Sequence, residues 1–296
     1  MSTPEPTTHP TLRPLRIGEI LGTAIRLTLS NVRTLIPLVA IIVVPLAIID
    51  AVLLLATLHN GFIVDNKLYL QTTGGYNGGR YAMLALRFLG SAIAAGLVFR
   101  AVSTIYLGGQ PSVGESARAA FSRAGTLVMT ALVVTIGTLI GLVLLVLPGI
   151  WFAVTCAVAV PAVMMEGRGA FEAIGRSQEL VRGRWWATFG AFLVAYLLLA
   201  VVEFVLGLIL GAALLGGHHS LTALGVELVV VFLVAQLITI PFIGSVITVI
   251  YFDLRVRKEG LDVEHHAREV GLLPGGAVAT PPPTIATDAP GGLPTG

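Results

Sequence analysis

Five polar residues stand inside otherwise apolar runs and are the first candidates for chemistry: Asp50, Arg87, Arg100, Glu203 and Gln236. A charge or amide at such a place can relay protons, hold an ion or headgroup, or join helices by hydrogen bonds. Depth read along helical hairpins, at about 1.5 Å per residue, sets Asp50 beside Arg87 as an ion pair and Glu203 opposite Gln236. Arg100 falls near the end of its run, where its long stem can carry the charge to an interface. A polar path for ions or lipid headgroups is one reading of these residues. Structural glue between helices is the preferred one, because transporters carry more intramembrane charge than this.

Other candidates are weaker. His218-His219 and His265-His266 are adjacent pairs, and neighbouring side chains on a helix do not face each other, so neither pair chelates well alone. Asp262, Glu264, His265, His266 and Glu269 cluster without metal-ligand spacing. Cys156, the only cysteine, sits in an apolar run and reads as a small core residue. No nucleophile elbow, phosphate-binding loop, dinucleotide glycine motif or H-E-x-x-H occurs. Catalytic residues, cofactors and metals are therefore not expected.

The elements that must position the five residues follow from composition. Apolar residues make up 55% of the 296 positions and charged residues 11%, against about a quarter in soluble domains. The apolar residues cluster in runs near the roughly 20 needed to cross a bilayer. The expected fold is an all-α polytopic membrane bundle with six spans, at about 35–58, 81–107, 126–147, 150–165, 187–215 and 224–252. Pro148-Gly149 reads as the turn between spans three and four, and Pro241 as a kink in span six. The longest loop, 59–80, reads as exposed coil; alternation over Phe62–Leu70 suits a short strand, but the Gly, Asn and Thr beyond it argue for coil. Residues 12–269 form the membrane domain, between Pro/Thr-rich tails at 1–11 and 270–296 that read as disordered. No cleaved signal peptide is expected, since the first apolar run starts late and is too long.

Three polar stretches separate the hairpins. Glu166–Phe189 puts Phe171, Ile174, Val181 and Trp185 on one helical face, with Glu172, Arg176 and Glu179 opposite. That pattern suits a helix lying on the membrane surface, with Arg176, Arg182, Arg184, Trp185 and Trp186 as candidate lipid contacts. Glu19, Glu115 and Glu172 each follow an apolar residue within two positions, so the chain reads as three repeats of surface helix plus helical hairpin. Gly137-x-x-x-Gly141 and Gly207-x-x-x-Gly211 are close-packing signals that serve internal packing as easily as self-association.

Fourteen of the eighteen Lys and Arg fall on the side of the two termini; only Lys67 and Arg80 fall in the opposite loops, and Arg87 and Arg100 lie in span two. This bias predicts a cell-membrane protein with both termini in the cytoplasm. Membrane lipids are the expected partners, together with an unidentified membrane or cytoplasmic protein; nucleic acid has no support beyond charge.

RPLRIGEILGTAIRL before span one, LPGIWFAV between spans three and four, RSQELVRGRWWATFG before span five and YFDLRVRKEGLD after span six form a set. This set resembles bacterial integral membrane proteins related to the membrane domain of glycerophosphoryl diester phosphodiesterases. In those enzymes the domain precedes a soluble catalytic barrel. The resemblance implies a stand-alone membrane module without that activity. The expected role is a non-enzymatic membrane-organising, lipid-interacting or regulatory module, with a transporter or lipid-handling permease as the alternative. A reporter fused after Gly296 is expected to be active only in the cytoplasm; activity on the outer side would overturn the topology.

Overall fold

Hydrocarbon offers a backbone amide or carbonyl no water, so a spanning segment must satisfy its own hydrogen bonds as a helix. The computed structural model describes residues 14–59, 61–64, 67–70, 74–215 and 221–259. Both tails, the two histidine pairs and the acidic cluster from Asp262 lie outside the described residues. Six stretches are long and apolar enough to cross a membrane: Val32–Leu53, Tyr81–Tyr106, Ala124–Leu144, Val146–Glu166, Trp185–Ile209 and Val229–Glu259. The chain is a multi-pass membrane protein with a helical bundle fold.

In order, the elements are α1 (Ile17–Ser30), α2 (Val32–His59), β1 (Gly61–Val64), β2 (Lys67–Leu70), α3 (Gly74–Tyr106) and α4 (Val113–Ser122). There follow α5 (Ala124–Leu144), α6 (Val146–Thr155), α7 (Ala159–Glu166), α8 (Ala170–Val181), α9 (Trp185–Leu215) and α10 (Leu221–Glu259). The core lies toward the end of the bundle that carries the termini, where Phe99, Leu180, Ile250, Tyr251 and Phe252 are almost fully buried. The ring of Phe99 meets Tyr251 edge-on at 5.8 Å, and Tyr106 stacks on Phe252 at 5.2 Å.

A short helix precedes the first, third and fifth spans, and two of the three glutamates, Glu19 and Glu172, share one local role. Glu19, Glu115 and Glu172 each occupy the third position of α1, α4 and α8. The Glu19 carboxylate accepts from the Arg16 amide at 2.8 Å, and Glu172 accepts from the Gly169 amide at 3.3 Å. At the start of α4 the Ser112 hydroxyl accepts from the Glu115 amide at 3.4 Å. These are the contacts by which a helix start satisfies its free amides. The three units otherwise differ, since only the middle one contains a broken span.

That break distinguishes the structure from the sequence expectation. Span four is two helices, α6 and α7, parted at Cys156–Val158. Ser177 of α8 repairs the gap: its hydroxyl donates to the Thr155 carbonyl at 2.8 Å and accepts from the Val158 amide at 3.1 Å. Arg123 donates to the carbonyls of Val163 and Met164 near the end of α7. Both contacts supply partners that the backbone lacks. Cys156 is buried beside the break.

The turn between spans three and four is at Leu145, whose backbone is extended, and not at Pro148-Gly149. Pro148 is the third residue of α6, where an amide has no intrahelical partner to lose. Gly149 lies against Gly141: a Cβ on Gly141 would come within 2.7 Å of the Gly149 Cα. Gly137 and Gly141 therefore serve internal packing, whereas a Cβ on Gly207 or Gly211 would meet nothing within 4 Å.

Two further expectations are corrected. β1 and β2 pair antiparallel, with Phe62 opposite Tyr69; the alternating residues form strands because the Gly-rich stretch follows β2 and does not interrupt it. Residues 74–80, expected as loop, form the start of α3. Glycine costs about 1 kcal/mol in a helix, but extending a long apolar helix needs no new nucleus. α10 runs through Pro241 as one helix.

Gly141→Val is expected to destabilise the protein in detergent by about 1–3 kcal/mol through overpacking against backbone, and Gly211→Val to leave it unchanged. Thermal unfolding of the two variants checks this; equal midpoints would contradict the hairpin contact.

Candidate functional site

At the end of the bundle away from the termini, α2, α3, α9 and α10 leave a cavity of about 780 Å³ between them. Each helix delivers one of the polar residues singled out by type. Asp50 comes from α2, Arg87 from α3, Glu203 from α9 and Gln236 from α10, and all four line the cavity. The remaining wall is mostly apolar, including Leu46, Phe88 and Phe232. Arg100 is exposed and does not line it.

Asp50 and Arg87 form an ion pair, as depth along the hairpin predicts. The Arg87 guanidinium also lies 4.8 Å from the centre of the Phe232 ring, a cation–π contact that links α3 to α10. The side chains remain 38% and 19% exposed for Arg87 and Asp50, so the pair borders the cavity instead of being sealed from it.

Glu203 finds a different partner from the expected one. Its carboxylate accepts from the Thr239 hydroxyl at 3.3 Å. Gln236 and Thr239 are three positions apart, on one face of α10. Reflecting α9 through its loop locates that face, but not the turn a flexible carboxylate reaches. Glu203 is exposed toward the cavity, with Gln236 as a second lining group. The site thus holds one charge-neutral pair, one carboxylate and one amide within apolar walls. It could seat an amphiphile: apolar chain against the walls, polar head at these groups.

At the opposite end, polar groups are spent on structure. The Glu166 carboxylate accepts from Arg168 at 2.6 Å, from Arg176 at 3.0 Å and from the Tyr251 hydroxyl at 3.0 Å. Arg176 also reaches Glu179 at 3.1 Å and pairs with Glu259 of α10. Burial opposes the charge of Arg176, but hydrogen bonds and attraction from Glu166 and Glu179 outweigh it and hold its pKa above the ordinary value. Sequence reading missed this network. Its legible signals were spacings of three between Arg176 and Glu179 and of four between Arg255 and Glu259, which the structure turns into ion pairs at 3.1 and 2.7 Å.

The proposed lipid-facing set therefore divides. Arg182 and Trp186 are exposed. Arg184 and Trp185 are half-buried; Trp185 stacks on Phe189 at 5.2 Å and its indole N–H donates to the Trp151 carbonyl at 3.3 Å. Arg176 points inward, with a side chain only 10% exposed. The helical face is also rotated from expectation. Ala173, Ile174, Ser177, Leu180 and Val181 are buried, while Phe171 is exposed. α8 covers the broken span, and closing that gap sets its rotation. Among the described residues, no three His, Cys, Asp or Glu lie close enough to hold a metal ion.

Asp50→Asn and Arg87→Gln are each expected to lower stability by about 1–3 kcal/mol, less than for a fully buried pair because both groups keep some access. The double variant is expected to recover part of that loss. A thermal-unfolding double-mutant cycle with no coupling would contradict the pair's role.

No family model, no curated protein sequence and no solved structure matches the chain.

Proposed function

We propose that this chain is a non-enzymatic, lipid-interacting module of the cell membrane, with both termini in the cytoplasm, that organises or regulates a partner. The observation that carries the reading is the cavity of about 780 Å³ among α2, α3, α9 and α10. Its apolar walls suit acyl chains. Its ion pair, carboxylate and amide suit a headgroup or glycerol hydroxyls. The excess of Lys and Arg at the end carrying the termini supports the orientation. The four stretches that resemble the membrane domain of glycerophosphoryl diester phosphodiesterases support a relative of that module.

A transporter or lipid-handling permease is the second reading. It is favoured by one observation: the Glu203 carboxylate lines the cavity at bilayer depth, where ionisable groups usually mark a path.

Gly207 lines the cavity, and a side chain added there would meet no atom within 4 Å of its Cβ. Gly207→Phe is therefore expected to fold normally and fill the space. Lipid analysis of protein purified in mild detergent should find bound lipid with the parent chain and measurably less of it in the variant. Equal lipid in both would sink the reading. In reconstituted vesicles, lipid flux that Glu203→Gln abolishes would favour the second reading over the first.

A further inference from the structure

A second cavity, of about 330 Å³, lies at the opposite end of the bundle, where α1 and α9 begin and α10 nears its end. Its polar lining includes Arg16, Arg184, Asp253 and Arg257. Asp253 is already committed. Its carboxylate accepts from the Leu15 amide at 2.6 Å and from Arg257 at 3.0 Å, while Arg257 donates to the Leu15 carbonyl at 2.7 Å. These contacts pin the start of α1 to α10 and hold Arg257 in place.

Three guanidinium groups against one carboxylate leave this lining with an excess of positive charge. Among the described residues, the Arg184 Nε is buried without a hydrogen-bond partner. A buried donor of this kind costs free energy unless a ligand meets it. The starts of α1 and α9 also border the cavity. The positive dipole ends of both helices add to the anion preference. The nearby Glu19 carboxylate is turned to the Arg16 amide.

We infer that this cavity binds a phosphate oxyanion, supplied by an anionic phospholipid headgroup. Arg184 immediately precedes the span Trp185–Ile209, so the cavity lies at the level of the lipid phosphates. Arg184 supplies the buried donor and Arg16, on the exposed side, the second guanidinium. Arg257 stays on Asp253 and contributes charge only. Basic pockets between spans suit this headgroup chemistry. The inference is independent of the Glu203 cavity, whose lining on α9 begins a dozen residues beyond Ala191.

The test uses the full chain in mild detergent, with native mass spectrometry for phosphatidylglycerol and thermal stabilisation for inorganic phosphate. Phosphatidylglycerol affinity is expected to fall about tenfold in Arg184→Gln and in Arg16→Gln, the loss of one charge-assisted contact. It is expected to hold in Arg182→Gln, whose exposed side chain lies outside the cavity. Arg16→Gln keeps the test readable if Arg184→Gln does not fold. The same pattern with inorganic phosphate alone would keep the site and assign its ligand as free phosphate. Absence of binding to the parent chain by either probe overturns the inference. So does a loss no larger in Arg184→Gln and Arg16→Gln than in Arg182→Gln, which would reduce it to surface charge.

Discussion

Inside a bilayer every main-chain amide and carbonyl must find its partner within the protein, and span four shows how strongly that requirement acts. A helix parted at Cys156–Val158 would leave polar backbone in hydrocarbon. The Ser177 hydroxyl bridges both sides of the gap, and Arg123 takes up two carbonyls farther on. For Ser177 to reach the break, α8 must press one face into the bundle. Its depth, its rotation and the inward course of Arg176 follow from that. A helix that by composition belongs on the membrane surface is thus an integral part of the core.

The two ends of the bundle use polar groups differently. Toward the termini, Glu166, Arg176, Tyr251 and Glu259 join α7, α8 and α10, while Asp253 and Arg257 clasp the start of α1. These contacts sit over the best-packed aromatic layer, where Tyr251 and Phe252 are almost fully buried. Toward the other end, charge is sparse and the helices part around a cavity. The bundle thus has one tightly joined end and one open end. The difference rests on how many elements each side chain links, rather than on helix length or hydropathy.

Local arithmetic read some of this correctly. Asp50 and Arg87 belong to consecutive spans, so counting residues from their shared loop set their depth, and opposite charge did the rest. The same arithmetic brought Glu203 to the right face of α10 but to Gln236 in place of Thr239, because it cannot resolve one helical turn. The recurring glutamates were visible as a pattern; for Glu19 and Glu172 the cause is the free amides at a helix start, a local requirement that Ser112 meets in place of Glu115 at α4. Gly137 and Gly207 looked alike in sequence, yet one faces Phe152 and the other faces open space.

What the amino-acid sequence determined by itself was the number of spans, their approximate limits and the uneven distribution of cations, since all three depend on composition over windows as long as a bilayer is thick. Tertiary structure alone decided where span four breaks, which face α8 buries, and which arginines are spent on carboxylates and which are left beside a cavity. Those outcomes depend on partners scores of residues apart, such as Leu15 with Asp253 and Glu166 with Tyr251. A helix's own sequence records how apolar each face is; it does not record which neighbour will have an unsatisfied backbone group for that face to meet.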